Sequence, residues 1–157
     1  MSAQLLKQGI NTSETLRHYT TNVRAGSRIC LGFVSPNSTG SNVYVHLKTT
    51  LGGSTNQMVK FEYDGYTYAS LNVHNSVTFY TYAGTSTPYT PSLVNWGEST
   101  GGIVNYYYSS DDYVVIVVQS APQYTGGFLY VQSGHSHMNH SIDIAAYSAS
   151  ANTSGVY

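Results

Sequence analysis

Apolar and polar residues alternate along much of the chain, and this alternation predicts β-strands. In residues 43–48 every second side chain is apolar, and residues 59–64 repeat the pattern. A period of two is the signature of strands that are buried on one face. Further strands are predicted in segments that are apolar or rich in β-branched and aromatic residues: 28–33, 69–73, 77–82, 103–108, 113–119, 127–131 and 142–147.

Clusters of Gly, Asn, Asp, Ser and Pro separate these segments and predict turns. They fall at residues 36–40, 52–53, 64–65, 74–76, 101–102, 109–112 and 125–127. The longest irregular stretch is predicted at 84–101. About eight to ten strands at this spacing are typical of an all-β fold, an antiparallel β-sandwich or barrel.

Residues 114–118 are apolar on both faces of their predicted strand. This pattern suits a central strand that is covered on both sides, or a strand that faces a neighbouring subunit.

The beginning of the chain differs from the rest. Leu5, Leu6 and Ile10 form the one helix-like pattern, and residues 13–16 are predicted to open a short turn. We therefore divide the chain into an attachment or stalk-proximal segment, residues 1–24, and a β-sandwich domain, residues 25–157. A chain of 157 residues has the length of one domain.

Charged residues are scarce, and this excludes several classes of function. They make up 8% of the chain, six basic and seven acidic, and 16 tyrosines supply much of the polarity. A formal charge of −1 gives no field that would hold nucleic acid or an anionic membrane. No apolar stretch approaches the roughly 20 residues that cross a bilayer, and no signal peptide is visible. Low charge favours an oligomer.

The sequence gives little support for catalysis. No Gly-x-Ser-x-Gly motif is present, and Asp111 and Asp112 fall in a predicted turn, where carboxylates serve the backbone. Cys30 lies in an apolar run and is interpreted as a small buried hydrophobe rather than a reactive thiol. We therefore expect a protein that is not an enzyme.

Two histidines form the best candidate for a metal site. In a strand, His135 and His137 would point to one face and could ligate a transition metal. Two imidazoles are too few for a closed site, but three chains around a threefold axis would offer six. The alternative is a polar loop with exposed histidines and no cofactor.

Tyrosine is the most informative residue type. Its large, stiff ring and hydroxyl suit stacking on sugars and wet interfaces, although many tyrosines could instead pair across strands. We place the contacts with an outside ligand in loops, at Tyr66, Tyr89 and Trp96.

The order of these features resembles a known class of protein. An apolar strand, RICLGF at 28–33, leads through a turn to NVYVHL at 42–47, then to FEY at 61–63 and YYYSSDDYVVIV at 106–117. Over roughly residues 25–132 the chain resembles the C-terminal receptor-binding domains of bacteriophage tail fibres and related virion fibres.

The resemblance implies a jelly-roll-like sandwich that forms a homotrimer at a fibre tip and binds a host-surface glycan or protein. It also implies that the segment at His135 and His137 could hold metal on the threefold axis. The protein would be made in the host cytoplasm and carried on the virion, docked to other virion proteins through residues 1–24. A structural protein that decorates the capsid or tail, and a stand-alone lectin, are the alternatives.

Overall fold

The computed structural model describes residues 14–18, 22–23, 28–36, 43–66, 72–96, 101–120, 126–133 and 140–157. These residues form strands, turns and irregular segments, and none of them is helical. The strands are β1 Glu14–His18, β2 Asn22–Val23, β3 Arg28–Pro36, β4 Val43–Gly52, β5 Gln57–Tyr66, β6 Val73–Thr81, β7 Tyr89–Asn95, β8 Gly102–Tyr108, β9 Tyr113–Ser120, β10 Gly126–Ser133, β11 His140–Ser141 and β12 Ile144–Ser150.

Two antiparallel sheets pack face to face. The six-stranded sheet has the order β1-β3-β10-β5-β6-β7, and the four-stranded sheet has the order β12-β4-β9-β8. Strands β11 and β2 form a short separate pair. The predicted β-sandwich is therefore confirmed, whereas its jelly-roll connectivity stays a prediction.

The core lies between the sheets and follows the predicted alternation. On β5, Val59, Phe61 and Tyr63 are buried, while the residues between them point outward. The rings of Phe61 and Phe79 stack at 5.8 Å, and Phe79 stacks at 5.7 Å on Tyr106 of the other sheet. Burial of the Phe61 ring, and likewise of the Phe79 ring, stabilises the fold by about 1.5–3 kcal/mol.

Strand β9 is covered on both sides, as one of the two alternatives predicted. All five residues 114–118 are fully buried. Val115 and Val117 face away from the core, because they pair with the outward residues Lys48 and His46.

Residues 151–157, here called the strap, cross this outer side of the four-stranded sheet. Asn105 Nδ2 donates to Thr153 O at 2.6 Å, and Val156 N donates to Tyr107 Oη at 3.2 Å. Ser110 N donates to Tyr157 O at 3.3 Å. The same chain therefore provides a cover for Val115 and Val117.

Two predicted turns are wrong, because their polar residues lie inside strands, and the described part of a third, Gly126 and Gly127, belongs to β10. Asn75, in the predicted turn 74–76, is buried on β6. Its Nδ2 donates to Gly101 O at 3.1 Å and Ile103 O at 2.8 Å, and its Oδ1 accepts from Ile103 N at 2.9 Å. These bonds connect β6 to the opposite sheet. Asp64 and Gly65, the other predicted turn, are paired residues of β5.

Two further segments differ from the prediction. The stretch 84–101 contains β7, an exposed edge strand in which Pro91 is tolerated because edge residues need no second partner. Residues 14–16 belong to β1, which pairs with β3, rather than to a turn. Most of the predicted strand 69–73 lies outside the described residues. The attachment role of residues 1–24 stays a prediction.

Candidate functional site

The side of the six-stranded sheet that points away from the core carries most of the exposed aromatic residues. Adjacent strands place their outward residues in register, so these side chains form rows across the sheet. We call this surface the outer face. It comprises Arg28, Cys30, Phe33, Met58, Lys60, Glu62, Asp64, Tyr66, His74, Tyr80, Tyr89, Trp96, Phe128 and Tyr130.

One row of the outer face has an aromatic ring at each end. Phe128 on β10 pairs with Asp64 on β5, and Asp64 pairs with His74 on β6. Trp96 comes next, since its backbone N donates to His74 O at 2.9 Å. We call these four residues the aromatic row. Three strand spacings of about 4.8 Å separate its ends by roughly 14 Å.

Both aromatic ends are held by neighbouring rings. Phe33 meets Phe128 edge to face at 5.0 Å, and His74 lies against Trp96 at 5.1 Å. Trp96 is nevertheless 57% exposed. These rings can stack on a ligand without first becoming ordered, which lowers the entropy cost of binding.

Asp64 provides the polar group between the rings. Its side chain is 55% exposed, and His74 Nδ1 lies 3.6 Å from its Oδ1. An ionised carboxylate accepts hydrogen bonds with two oxygens. The row therefore combines stacking surfaces with an acceptor for hydroxyl groups.

Beside the aromatic row lies an ion-paired cluster. Glu62 Oε1 contacts Arg28 Nη2 at 2.5 Å, and Glu62 Oε2 contacts Lys60 Nζ at 3.0 Å. Burial alone would raise the pKa of Glu62, but the hydrogen bonds and charges of Lys60 and Arg28 outweigh it and lower the pKa. Glu62 is therefore ionised at neutral pH.

The opposite end of the outer face carries a second aromatic group, which we call the tyrosine cluster. It consists of Tyr80, Tyr82 and Tyr89, with ring centroids 6.0 Å and 6.2 Å apart. The exposed Met58 pairs with Tyr80.

The three predicted contact residues are exposed but do not converge. Tyr66 is 52% and Tyr89 is 55% exposed. Trp96 and Tyr66 lie toward one end of the sheet, while Tyr89 lies in the tyrosine cluster. All three lie on or next to strand ends rather than in loops: Tyr66 ends β5, Tyr89 begins β7 and Trp96 follows β7.

Sequence reasoning missed Asp64, His74 and Phe128. Asp64 and His74 were assigned to turns because each stands beside turn-forming residues. The alternation of Phe128 and Tyr130 with the buried Leu129 and Val131 was the signal that could have placed Phe128 on an open face.

The remaining predicted groups have ordinary roles or lie elsewhere. The turn at 109–112 is present, and there Asp111 binds Lys48 at 2.6 Å while Asp112 accepts from Ser54 Oγ at 2.8 Å. Cys30 is half-buried on the outer face rather than in the core, and burial raises the pKa of its thiol.

The predicted metal ligands His135 and His137 lie outside the described residues. Within the described ranges, no three His, Cys, Asp or Glu side chains are grouped as a metal site requires. The same ranges contain no helix long and apolar enough to span a membrane.

No family model, curated protein or solved structure matches the chain.

Proposed function

We propose that this chain is a non-enzymatic attachment domain of a virion fibre and that it binds a host-surface glycan through the outer face. The observation that carries the proposal is the aromatic row, in which Phe128 and Trp96 flank the exposed carboxylate of Asp64.

A glycan fits this combination of groups. Sugar rings present C–H faces that pack on aromatic rings, and hydroxyls that donate to carboxylates. The separation of the two rings, roughly 14 Å from the strand spacing, suits an oligosaccharide rather than a single sugar. Stiff aromatic rings give a large contact area at a low cost in conformational entropy, which suits binding to such a ligand.

The assembly is part of the same proposal. The domain acts as a homotrimer on the virion, after synthesis in the host cytoplasm, and docks to other virion proteins through residues 1–24. The scarcity of charge supports association, since few like charges oppose contact between copies. Molar mass measured in solution by light scattering tests the trimer, and a monomeric mass contradicts it.

The binding site is tested by replacing its most exposed ring. We expect Trp96→Ala to weaken binding to glycans or host cells about tenfold, or about 1.4 kcal/mol, because the stacking surface is lost. Tyr113→Ala is the matched control, since Tyr113 is an exposed ring on the four-stranded sheet. A folded Trp96→Ala protein that binds as tightly as the wild type would refute the site.

A structural protein that decorates the capsid or tail is the second candidate. Strand β7 favours it, because this exposed edge carries no charged residue and only Pro91 opposes pairing with another strand. Deleting residues 1–13, which leaves β1 in the six-stranded sheet, separates the two functions. Particle attachment would be lost under either function, but a receptor-binding domain would still bind to cells, whereas a decorating protein would show no such binding before or after the deletion.

A further inference from the structure

We infer that Glu62 makes the outer face selective for uncharged glycans, by holding Arg28 and Lys60 in ion pairs that an anionic ligand would have to break. The choice of a glycan as ligand rests on the proposed function. The exclusion of anions rests on the geometry of these three side chains and of the rings and the carboxylate around them.

Each oxygen of Glu62 contacts one Lys or Arg side chain, and Oε1 also lies 3.8 Å from His74 Nε2. Oε1 contacts Arg28 and Oε2 contacts Lys60, at 2.5 and 3.0 Å. The Glu62 side chain is only 12% exposed, so water screens these contacts less than it screens a surface pair. Glu62 itself lies between Tyr130 and Ser76 in its row, with Lys60 two residues away on the same strand.

The same two cations, Arg28 and Lys60, also lie close to aromatic rings. The Arg28 guanidinium lies 3.6 Å from the centre of the Tyr130 ring, and Lys60 Nζ lies 5.5 Å from that of Trp96. A cation over a ring is attracted to its π face. A sulfate or carboxylate group of a ligand would therefore compete with Glu62 and with an aromatic ring for either side chain.

The carboxylate of Asp64 also opposes the binding of anions. Arg28 and Lys60 balance Glu62 and Asp64, so these four residues have no net charge when all are ionised. Asp64 is the most exposed of them, and it lies inside the aromatic row. An acidic sugar would therefore meet a carboxylate where a neutral sugar meets a hydrogen-bond acceptor.

Glu62→Gln tests the inference as a gain of function. The amide keeps the size of the side chain but removes the charge, which leaves Arg28 and Lys60 available to an anion. On immobilised heparin, a sulfated polysaccharide, we expect about tenfold tighter binding than the wild type at low salt, lost as salt rises. Adding Arg28→Gln and Lys60→Gln to this variant should abolish the gain.

Asp111→Asn is the matched control. It changes the net charge by the same amount and releases Lys48 from its ion pair, but on the other sheet. We expect Asp111→Asn to behave as the wild type on heparin. Equal gains in Glu62→Gln and Asp111→Asn would overturn the inference, because net charge alone would then explain them. Wild-type binding as tight as that of Glu62→Gln would overturn it too.

Should Glu62→Gln not fold, the triple variant Arg28→Gln, Lys60→Gln, Glu62→Gln tests the same point, with Lys48→Gln as a control of equal net charge. Its heparin binding should equal that of Lys48→Gln, and weaker binding would show that Arg28 and Lys60 were already available. A parallel array of neutral and sialylated glycans keeps the two proposals apart. Wild-type binding to sialylated glycans alone overturns the inference but not the proposed function. Binding to no glycan overturns the proposed function, while a heparin gain confined to Glu62→Gln still supports the anion exclusion.

Discussion

Acidification is expected to release the strap, residues 151–157, from the four-stranded sheet. His46 is fully buried beneath it. Its Nε2 lies 2.8 Å from Asn152 O, so Nε2 carries the proton and donates. Its Nδ1 lies 3.0 Å from Tyr107 Oη and accepts the phenol proton, while Tyr107 accepts from Val156 N. The neutral imidazole therefore satisfies every group in this chain of hydrogen bonds.

A second proton on His46 would disturb this arrangement. Nδ1 would become a donor and could no longer accept the phenol proton, and the imidazolium would lie buried with no side-chain carboxylate of the described residues in contact. Among the described residues, the titratable groups on this side include Tyr44, Tyr107, Tyr113, Tyr157 and Lys48, and Lys48 is paired with Asp111. Strands β9 and β12 contribute only Val117 and Ser148 opposite His46.

The direction and size of the effect follow from linkage. Burial lowers the pKa of His46 below its ordinary value of 6.5, and the bond to Asn152 opposes this only in part. The pKa of His46 is lower when the strap is closed than when it is open. The stability of the closed state is therefore fully present above pH 6.5 and falls as the pH drops below that value. At about pH 5, one and a half units lower, the loss has an upper limit of about 2 kcal/mol.

Amide NMR spectra of the whole protein between about pH 7.5 and pH 5 measure this opening. We expect the Asn152 and Val156 signals to shift toward disordered values on acidification in the wild type and in His74→Gln, which lacks an exposed histidine. In His46→Gln the strap signals should not change with pH. A strap that stays closed while His46 titrates, or that opens equally in His46→Gln, would refute the reasoning.

Two stability predictions concern the way in which the strands are joined. Asn75→Ala should lower the free energy of unfolding, measured with urea, by about 2–4 kcal/mol. The reason is that the Ile103 amide and the Gly101 and Ile103 carbonyls lose their hydrogen-bond partner. A loss below about 1 kcal/mol would contradict this role. Gly127→Ala should lower the melting temperature more than Gly84→Ala does, because its Cβ would lie 2.5 Å from Tyr63 Cζ. At Gly84, with φ +89° and no atom of the described residues near the added Cβ, the only cost is backbone strain of about 1–2 kcal/mol. Equal melting temperatures would contradict the packing.

The sequence could predict the strands whose pattern is strong, and it failed where a polar residue serves the interior. The alternation in β4 and β5 and the apolar run in β9 are local signals, and all three strands are present. The triplet 74–76 has turn chemistry, but Asn75 finds its hydrogen-bond partners on β8, about 28 residues later in the chain. No local pattern contains that information.

The candidate site was predicted in part for the same reason. Trp96 stood out as the one tryptophan in a segment without regular pattern, and it is exposed. Its neighbours in the row depend on strand order, since Phe128 is brought beside Asp64 by the pairing of β10 with β5. Residues 64, 74, 96 and 128 come from four different strands or strand ends. Periodicity identifies the face of a strand but not its neighbours.

The two sheets differ in what their outer sides offer to a partner. The four-stranded sheet has an apolar central strand, but the strap covers Val115 and Val117, so a sister subunit could reach them only after the strap opens. On the six-stranded sheet no described segment plays this covering role, and the aromatic row and tyrosine cluster are exposed. We therefore expect the proposed glycan ligand to bind to the six-stranded sheet at neutral pH. Acid conditions would add a second, apolar surface on the opposite side, and the His46→Gln variant would lack that response.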